Sequence, residues 1–282
     1  MRFTTSRRIE GAYSGRHLAK QRGGSGEFVD FREYSPGDDL RRLDWKAMGR
    51  TERSYLKLFQ DETDLRCTVL IDASGSMLQS GGERTNLTKI EWAQYFSSAL
   101  SYLVLLGRDA VGLGVARESL SEYLAPSSAY SQQPTIHEMI ASIEASGKTD
   151  LAQSLDDLLV QSRRRGVLLV LSDFLSDNSS EVLAKLRVFR ARGWEIVALH
   201  LVHPTEKELP AGSAIRFMGL EDDGQVNCQV AEIRSAYKKR FAEHLLTVRN
   251  SLVGVGCEYH QIMTNESYVE CLRTFLVARG SV

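Results

Sequence analysis

The stretch Cys67-Thr68-Val69-Leu70-Ile71-Asp72-Ala73-Ser74-Gly75-Ser76 decides the fold. Its first five residues are apolar or β-branched and carry no charge. That is the pattern of a strand buried on both faces, and such strands belong to parallel sheets covered by helices. A carboxylate and two hydroxyls follow within five residues, on the turn where the strand ends. In open α/β sheets, ligands bind outside the carboxyl ends of the strands. Short oxygen-bearing side chains, free of nitrogen and sulfur, suit a hard cation, with Mg²⁺ ahead of any transition metal. The turn therefore reads as the start of a cation site.

Downstream, the chain alternates between strand and helix patterns. Asn86 or Thr88 is placed to cap a helix in which Ile90, Ala93, Phe96, Leu100, Leu103 and Val104 recur at three- and four-residue spacing, ended by Gly107. Ala110–Val115 reads as a strand and Ser119–Leu124 as an antiparallel or edge strand. A helix is expected from about Thr135 to Ala145. Leu151, Leu155, Leu158 and Leu159 give the next helix an apolar face, closed by Gly166. Strand Val167–Leu171 leads to Asp173. A helix carrying Val182, Leu183, Leu186 and Phe189 stops at Gly193, before strand Trp194–Val202. A long helix follows along Ile233, Tyr237, Phe241, Leu245, Val248 and Leu252, then strand Glu258–Met263 and a closing helix Tyr268–Leu276.

This rhythm predicts an α/β fold over residues 66–282, with a doubly wound, mostly parallel sheet and helices on both faces. Pro204, Pro210 and Asp222-Asp223-Gly224 predict a hairpin-like insertion at about 203–229. Residues 1–65 are rich in Arg, Gly and Ser and read as an N-terminal arm, with a strand at Tyr55–Phe59 and a turn at Ser35–Asp38.

Two later segments offer further oxygen ligands. Lys148-Thr149-Asp150-Leu151 precedes a helix, with Asp150 expected as its N-cap, and Leu168–Asp173 is a second buried run ending in a carboxylate. Thr85 and Thr88 are rival threonines, although they lie directly after the serine turn.

A D-x-S-x-S turn, a later Thr before a helix and a still later Asp at a strand end resemble the metal-ion-dependent adhesion site of von Willebrand factor A domains. The run Glu27-Phe28-Val29-Asp30-Phe31-Arg32-Glu33-Tyr34-Ser35-Pro36-Gly37-Asp38-Asp39-Leu40-Arg41-Arg42-Leu43-Asp44-Trp45-Lys46 resembles the signature of the bacterial family called domain of unknown function 58. Members of that family carry the run ahead of a von Willebrand A-like, Rossmann-type domain. Ser172-Asp173-Phe174, Pro204-Thr205-Glu206 and Arg234-Ser235-Ala236-Tyr237 agree with it. His203 departs from it, standing where an acidic residue is expected.

The resemblance favours Thr149 over its rivals and implies a Mg²⁺ site of Asp72, Ser74, Ser76, Thr149 and Asp173, with Mn²⁺ or Ca²⁺ as other possible ions. The three hydroxyls would bind the ion directly and the two aspartates largely through water. The sixth position would be left for an Asp or Glu of a partner protein. The resemblance further implies a MoxR-type AAA+ ATPase, or its client, as that partner, and an adaptor or co-chaperone role in protein remodelling or complex maturation.

Composition narrows the remaining classes. Over 282 residues the formal charge is −1, which gives no global argument for nucleic acid. The first 60 residues are net basic, with 13 Lys+Arg against 8 Asp+Glu, and the remainder is net acidic. Cys67, Cys228, Cys257 and Cys271 show no metal-ligand spacing and read as reduced, consistent with the cytosol. No apolar leader or membrane-length run is present, so a cytoplasmic protein without membrane insertion is expected. There is no phosphate-binding glycine loop of either common type. No His adjoins the serines, and position 74 is not the second Asp of a phosphotransfer pair. With those rivals weakened, the resemblance implies a non-enzymatic, Mg²⁺-dependent interaction module. A Mg²⁺-dependent hydrolase or phosphoryl-transfer enzyme on the same site is the alternative.

Overall fold

The computed structural model describes residues 27–34, 48–49, 54–60, 65–80, 87–176, 178–209, 215–218, 225–228 and 230–280. By its internal contacts the chain divides into two units, with the break between Asp64 and Leu65. In the first unit, β1 (Glu27–Glu33) pairs antiparallel with β2 (Tyr55–Gln60), with a register shift between Phe28 and Asp30. Beyond Tyr34, the Glu27–Lys46 run, including the expected turn at 35–38 and Trp45, lies outside the described residues, as do Thr85 and Asn86.

The second unit is built on a six-stranded sheet. Its strands are β3 (Arg66–Asp72), β4 (Ala110–Ala116), β5 (Leu120–Ser127), β6 (Val167–Ser172) and β7 (Glu195–Val202). A short hairpin, β8 (Ile215–Met218) and β9 (Gln225–Cys228), falls inside the expected insertion, and β10 (Glu258–Met263) completes the sheet. The order is β10-β7-β6-β3-β4-β5, with every neighbouring pair parallel except β4–β5. Read from β5, the strands run third, second, first, fourth, fifth and sixth, the order of a doubly wound sheet that reverses direction beside its first strand. This is the expected von Willebrand A-like α/β fold.

Residue parity explains the layering. Side chains along a strand alternate between faces. The odd-numbered Cys67, Val69, Ile71, Leu169, Leu171, Val197 and Leu199 join one core with α1 (Lys89–Leu106), α2 (Gln133–Ala141) and α7 (Tyr268–Gly280). The even-numbered Leu70, Leu168, Val170, Ile196 and Ala198 join a second core with α3 (Leu151–Gln161), α4 (Ser179–Ala191) and α6 (Val230–Gly254). Both faces are covered, which is why these strands read as continuous apolar runs.

The helix boundaries follow from local chemistry. Thr88 caps α1 through a full capping box: its hydroxyl accepts from Glu91 N, and Glu91 accepts from Thr88 N. Asp150 caps α3 by accepting from Gln153 N at 2.9 Å. Gly193, at φ +84°, supplies the left-handed residue after α4.

One expectation fails here: Gly166 does not close α3, which ends at Gln161 with Ser162 as its cap. A side chain at 166 would bring its Cβ within 2.2 Å of the Arg66 carbonyl oxygen, so this glycine permits close backbone approach between β6 and β3. A four-residue helix, α5 (Pro204–Lys207), was also not foreseen. His203 stands in the cap position where an acid was expected, and its ring Nδ1 accepts from Thr205 N. None of the described helices is long and apolar enough to cross a membrane.

Candidate metal centre

Register brings the first two parts of the site together. Ile71 pairs with Leu171, so Asp72 and Ser172 leave the ends of β3 and β6 side by side. Ser172 Oγ donates to Asp72 Oδ2 at 2.6 Å and accepts from Phe174 N at 2.9 Å. One hydroxyl thus ties the two strand-end loops to each other. Phe174 sits at φ +52°, a conformation that costs a non-glycine residue of order 1–3 kcal/mol and that clusters at functional sites.

The serine turn folds back on its own carboxylate. Ser74 N donates to Asp72 Oδ1 at 3.0 Å, and the Ser74 and Ser76 hydroxyl oxygens lie 3.0 Å apart. The loop that carries Thr149 is bonded to this turn by its backbone. Ser146 N donates to the Ala73 carbonyl at 2.9 Å, and Gly75 N donates to the Gly147 carbonyl at 2.8 Å. Gly147, at φ +62°, makes the bend that turns the chain towards Thr149. The Thr149 hydroxyl is buried and, among the described residues, has no hydrogen-bond partner. Eight other buried side-chain polar atoms among the described residues also lack a partner, and what singles out Thr149 is its loop, which is bonded to the serine turn; an ion held there would complete the hydroxyl.

Asp173 follows β6 and is 2% exposed. Its Oδ1 accepts from Leu175 N at 3.1 Å, and its Oδ2 accepts from Lys89 Nζ at 2.6 Å. The same ammonium donates at 2.6 Å to Glu206 Oε1 in α5. Glu206 Oε2 in turn accepts from His203 N at 2.7 Å. Gln79, just past the serine turn, donates to Thr205 Oγ1 at 3.2 Å, which ties α5 to the same rim.

The electrostatics are those of crowded, dehydrated acids. Burial, with the Asp173 charge second, pushes Asp72 up to about 6 against its hydrogen bonds from Ser172 and Ser74. Burial alone would push the Lys89 ammonium down, but the two carboxylates outweigh it and hold Lys89 above its ordinary value. Burial raises Glu206, with Lys89 opposing. A divalent ion beside these groups would relieve the repulsion between Asp72 and Asp173.

The expected residues thus fall in three loops at one rim of the sheet. Asp72, Ser74 and Ser76 lie in one loop, Thr149 in a second that is hydrogen-bonded to it, and Asp173 in a third joined to it through Ser172. Thr88 is a helix cap. The sequence reading assigned no part to Ser172, Lys89 or Glu206. Of these, Lys89 left a signal: it lies four residues before Ala93 in the apolar stripe of α1, on the buried side of the helix.

A family model described as "Protein of unknown function DUF58" matches residues 30–247. The chain belongs to the DUF58 family. Uncharacterized proteins Rv1480 of Mycobacterium tuberculosis and Mb1516 of Mycobacterium bovis are each 26% identical to this DUF58 protein over 294 residues, spanning 99% of it and 87% of each of them. Among solved structures, the conserved hypothetical protein BatB from Bacteroides thetaiotaomicron aligns over 77% of this DUF58 chain and 100% of its own, with 13% identity and a TM-score of 0.48. The SpRpn10 VWA domain aligns over 74% and 93%, with 11% identity and a TM-score of 0.41. The fold assignment rests on the strand order described above.

Proposed function

We propose that this DUF58 protein is a non-enzymatic interaction module that holds Mg²⁺ at the rim of its sheet and binds a partner's Asp or Glu through that ion. Ser74, Ser76 and Thr149 would hold the metal, with Asp72 and Asp173 behind them. The observation that carries this reading is the buried, unpartnered Thr149 hydroxyl on a loop bonded to the Ser74–Ser76 turn. Neutral hydroxyl ligands leave the ion's charge largely uncompensated, which attracts an incoming carboxylate. Leu78 and Leu175, each two residues beyond a site residue and each exposed, offer apolar contact to a docking protein. The proposed partner is a MoxR-type AAA+ ATPase or its client, as the family resemblance implies, and the proposed setting is cytoplasmic remodelling or maturation of a complex.

A hydrolase on the same metal needs a free base near the ion. Lys89 is held by two carboxylates, and His200 Nδ1 is engaged with the Tyr259 hydroxyl at 2.9 Å. These contacts argue against Lys89 or His200 as that base, and leave the His203 ring, whose Nε2 has no partner among the described residues, as the group an enzyme would have to use.

The test is a pull-down with wild-type protein and the Ser74→Ala/Ser76→Ala variant, each in Mg²⁺ and in EDTA. A partner retained only by wild type in Mg²⁺ is the expected result. The same partners under all four conditions would end the metal-bridged reading. Phosphodiester turnover in Mg²⁺ that is lost in Asp72→Ala would establish the enzyme instead.

A further inference from the structure

Lys89 is 0% exposed, and its Nζ lies 2.6 Å from both Asp173 Oδ2 and Glu206 Oε1. The two contacts reach 84 and 117 residues along the chain. Buried ion pairs contribute little net stability, because the desolvation of each charge offsets the attraction, so packing alone does not account for an ammonium here. Its position does. It is bonded to one of the two aspartates of the cation site, and that aspartate is bonded on its other oxygen to Leu175 N, so neither oxygen is free to turn.

Charge then becomes decisive. With its acids ionised, the site holds three carboxylates (Asp72, Asp173 and Glu206) and one ammonium. A divalent ion makes that set formally neutral. Without the ammonium, the loaded site would carry one net negative charge, and a further carboxylate would be repelled. A charge a few ångströms away in a partly dehydrated site changes the binding of another charge by roughly tenfold or more.

We propose that Lys89 is a specificity-determining residue: by offsetting one of the two negative charges of Asp173 and Glu206 it keeps the metal-loaded site receptive to an acidic ligand, at the cost of weaker metal binding. This inference rests on the metal reading above. It makes the affinities for cation and for carboxylate move in opposite directions when the charge is altered, which a purely structural role for Lys89 does not.

The experiment uses Mn²⁺ as the metal probe, with free Mn²⁺ followed by electron paramagnetic resonance. It uses [¹³C]acetate as the carboxylate probe, followed by its relaxation on protein-bound Mn²⁺. Lys89→Met is expected to bind Mn²⁺ roughly tenfold more tightly and acetate on the loaded protein roughly tenfold more weakly. Glu206→Gln, at a side chain 14% exposed, shifts both in the reverse sense. Lys89→Met/Glu206→Gln restores the native charge count and returns both affinities towards wild type.

Falling affinity for both probes in Lys89→Met, or a double variant that recovers neither, overturns the proposal while leaving the metal site standing. Wild-type protein that binds no Mn²⁺ overturns the metal reading and this inference with it. Should Lys89→Met not fold, Lys89→Gln, which can still donate to both carboxylates but carries no charge, is read for the same pair of opposed shifts.

Discussion

At the scale of single residues, the site is a set of small oxygen groups whose hydrogen bonds are nearly all accounted for. Asp72, Ser74, Ser172 and Asp173 each have named partners, and the Thr149 hydroxyl has none among the described residues. An unsatisfied buried hydroxyl costs about 1–3 kcal/mol. Thr149→Val keeps the shape and removes the orphan. The metal-free variant should therefore be as stable as wild type, or more stable by about 1 kcal/mol, in urea denaturation. Its Mg²⁺ affinity by calorimetry should fall at least about tenfold, because a direct ligand has gone. A variant that loses stability but binds Mg²⁺ normally would show that Thr149 is a packing residue.

At the scale of elements, the decisive facts are register and close approach. The pairing of β3 with β6 sets Asp72 beside Ser172, and Gly166 lets the two backbones meet at the start of that ladder. Sequence patterning identified Gly166 as punctuation and assigned it the wrong role. A glycine that ends a helix and one that admits a neighbouring carbonyl look alike along the chain, and only the Arg66 oxygen 2.2 Å from its ideal Cβ separates them. Gly166→Ala must displace backbone rather than a flexible side chain, so it should destabilise the domain by about 3 kcal/mol in chemical denaturation. Loss of less than about 0.5 kcal/mol, the ordinary range for a surface site, would refute the close-approach role.

At the scale of the whole molecule, His200 links β7, β10 and the loop after β6. Its ring meets Phe174 edge-on at 5.6 Å between centroids, and its Nδ1 pairs with the Tyr259 hydroxyl at 2.9 Å. Burial, against the opposing charge of Asp173 and with smaller help from His244 and Lys89, pushes His200 down from 6.5 to about 4. Between those values the unfolded chain takes up a proton that the folded chain refuses. Its contribution to stability is therefore lost as the pH falls from 6.5 towards about 4, at up to about 1.4 kcal/mol per pH unit. Asp72 acts in the opposite sense in the metal-free protein. Between 3.8 and about 6 the folded chain keeps a proton that the unfolded chain has released, so that contribution grows as the pH falls. His200→Gln removes only the first contribution, and its denaturation midpoint should fall less steeply than that of wild type between pH 6.5 and 5. Parallel slopes in the two proteins would exclude His200 as the cause.

The sequence by itself determined the strand and helix rhythm, the two-faced burial of the central strands, the Asp150 cap, the narrowing of the α1 cap to Asn86 or Thr88, and the grouping of Asp72, Ser74 and Ser76. All of these depend on side-chain spacing within a few residues, where 2- and 3.6-residue periods and capping act. Only the tertiary structure decided that the Thr149 loop is bonded to the serine turn, that Ser172 joins Asp72 to the Asp173 loop, and that Lys89 lies between Asp173 and Glu206. The physical reason is that Coulomb attraction and dehydration act through space. An ammonium in the apolar stripe of a helix shows that a buried partner must exist, but its contacts 84 and 117 residues away are set by the winding of the sheet.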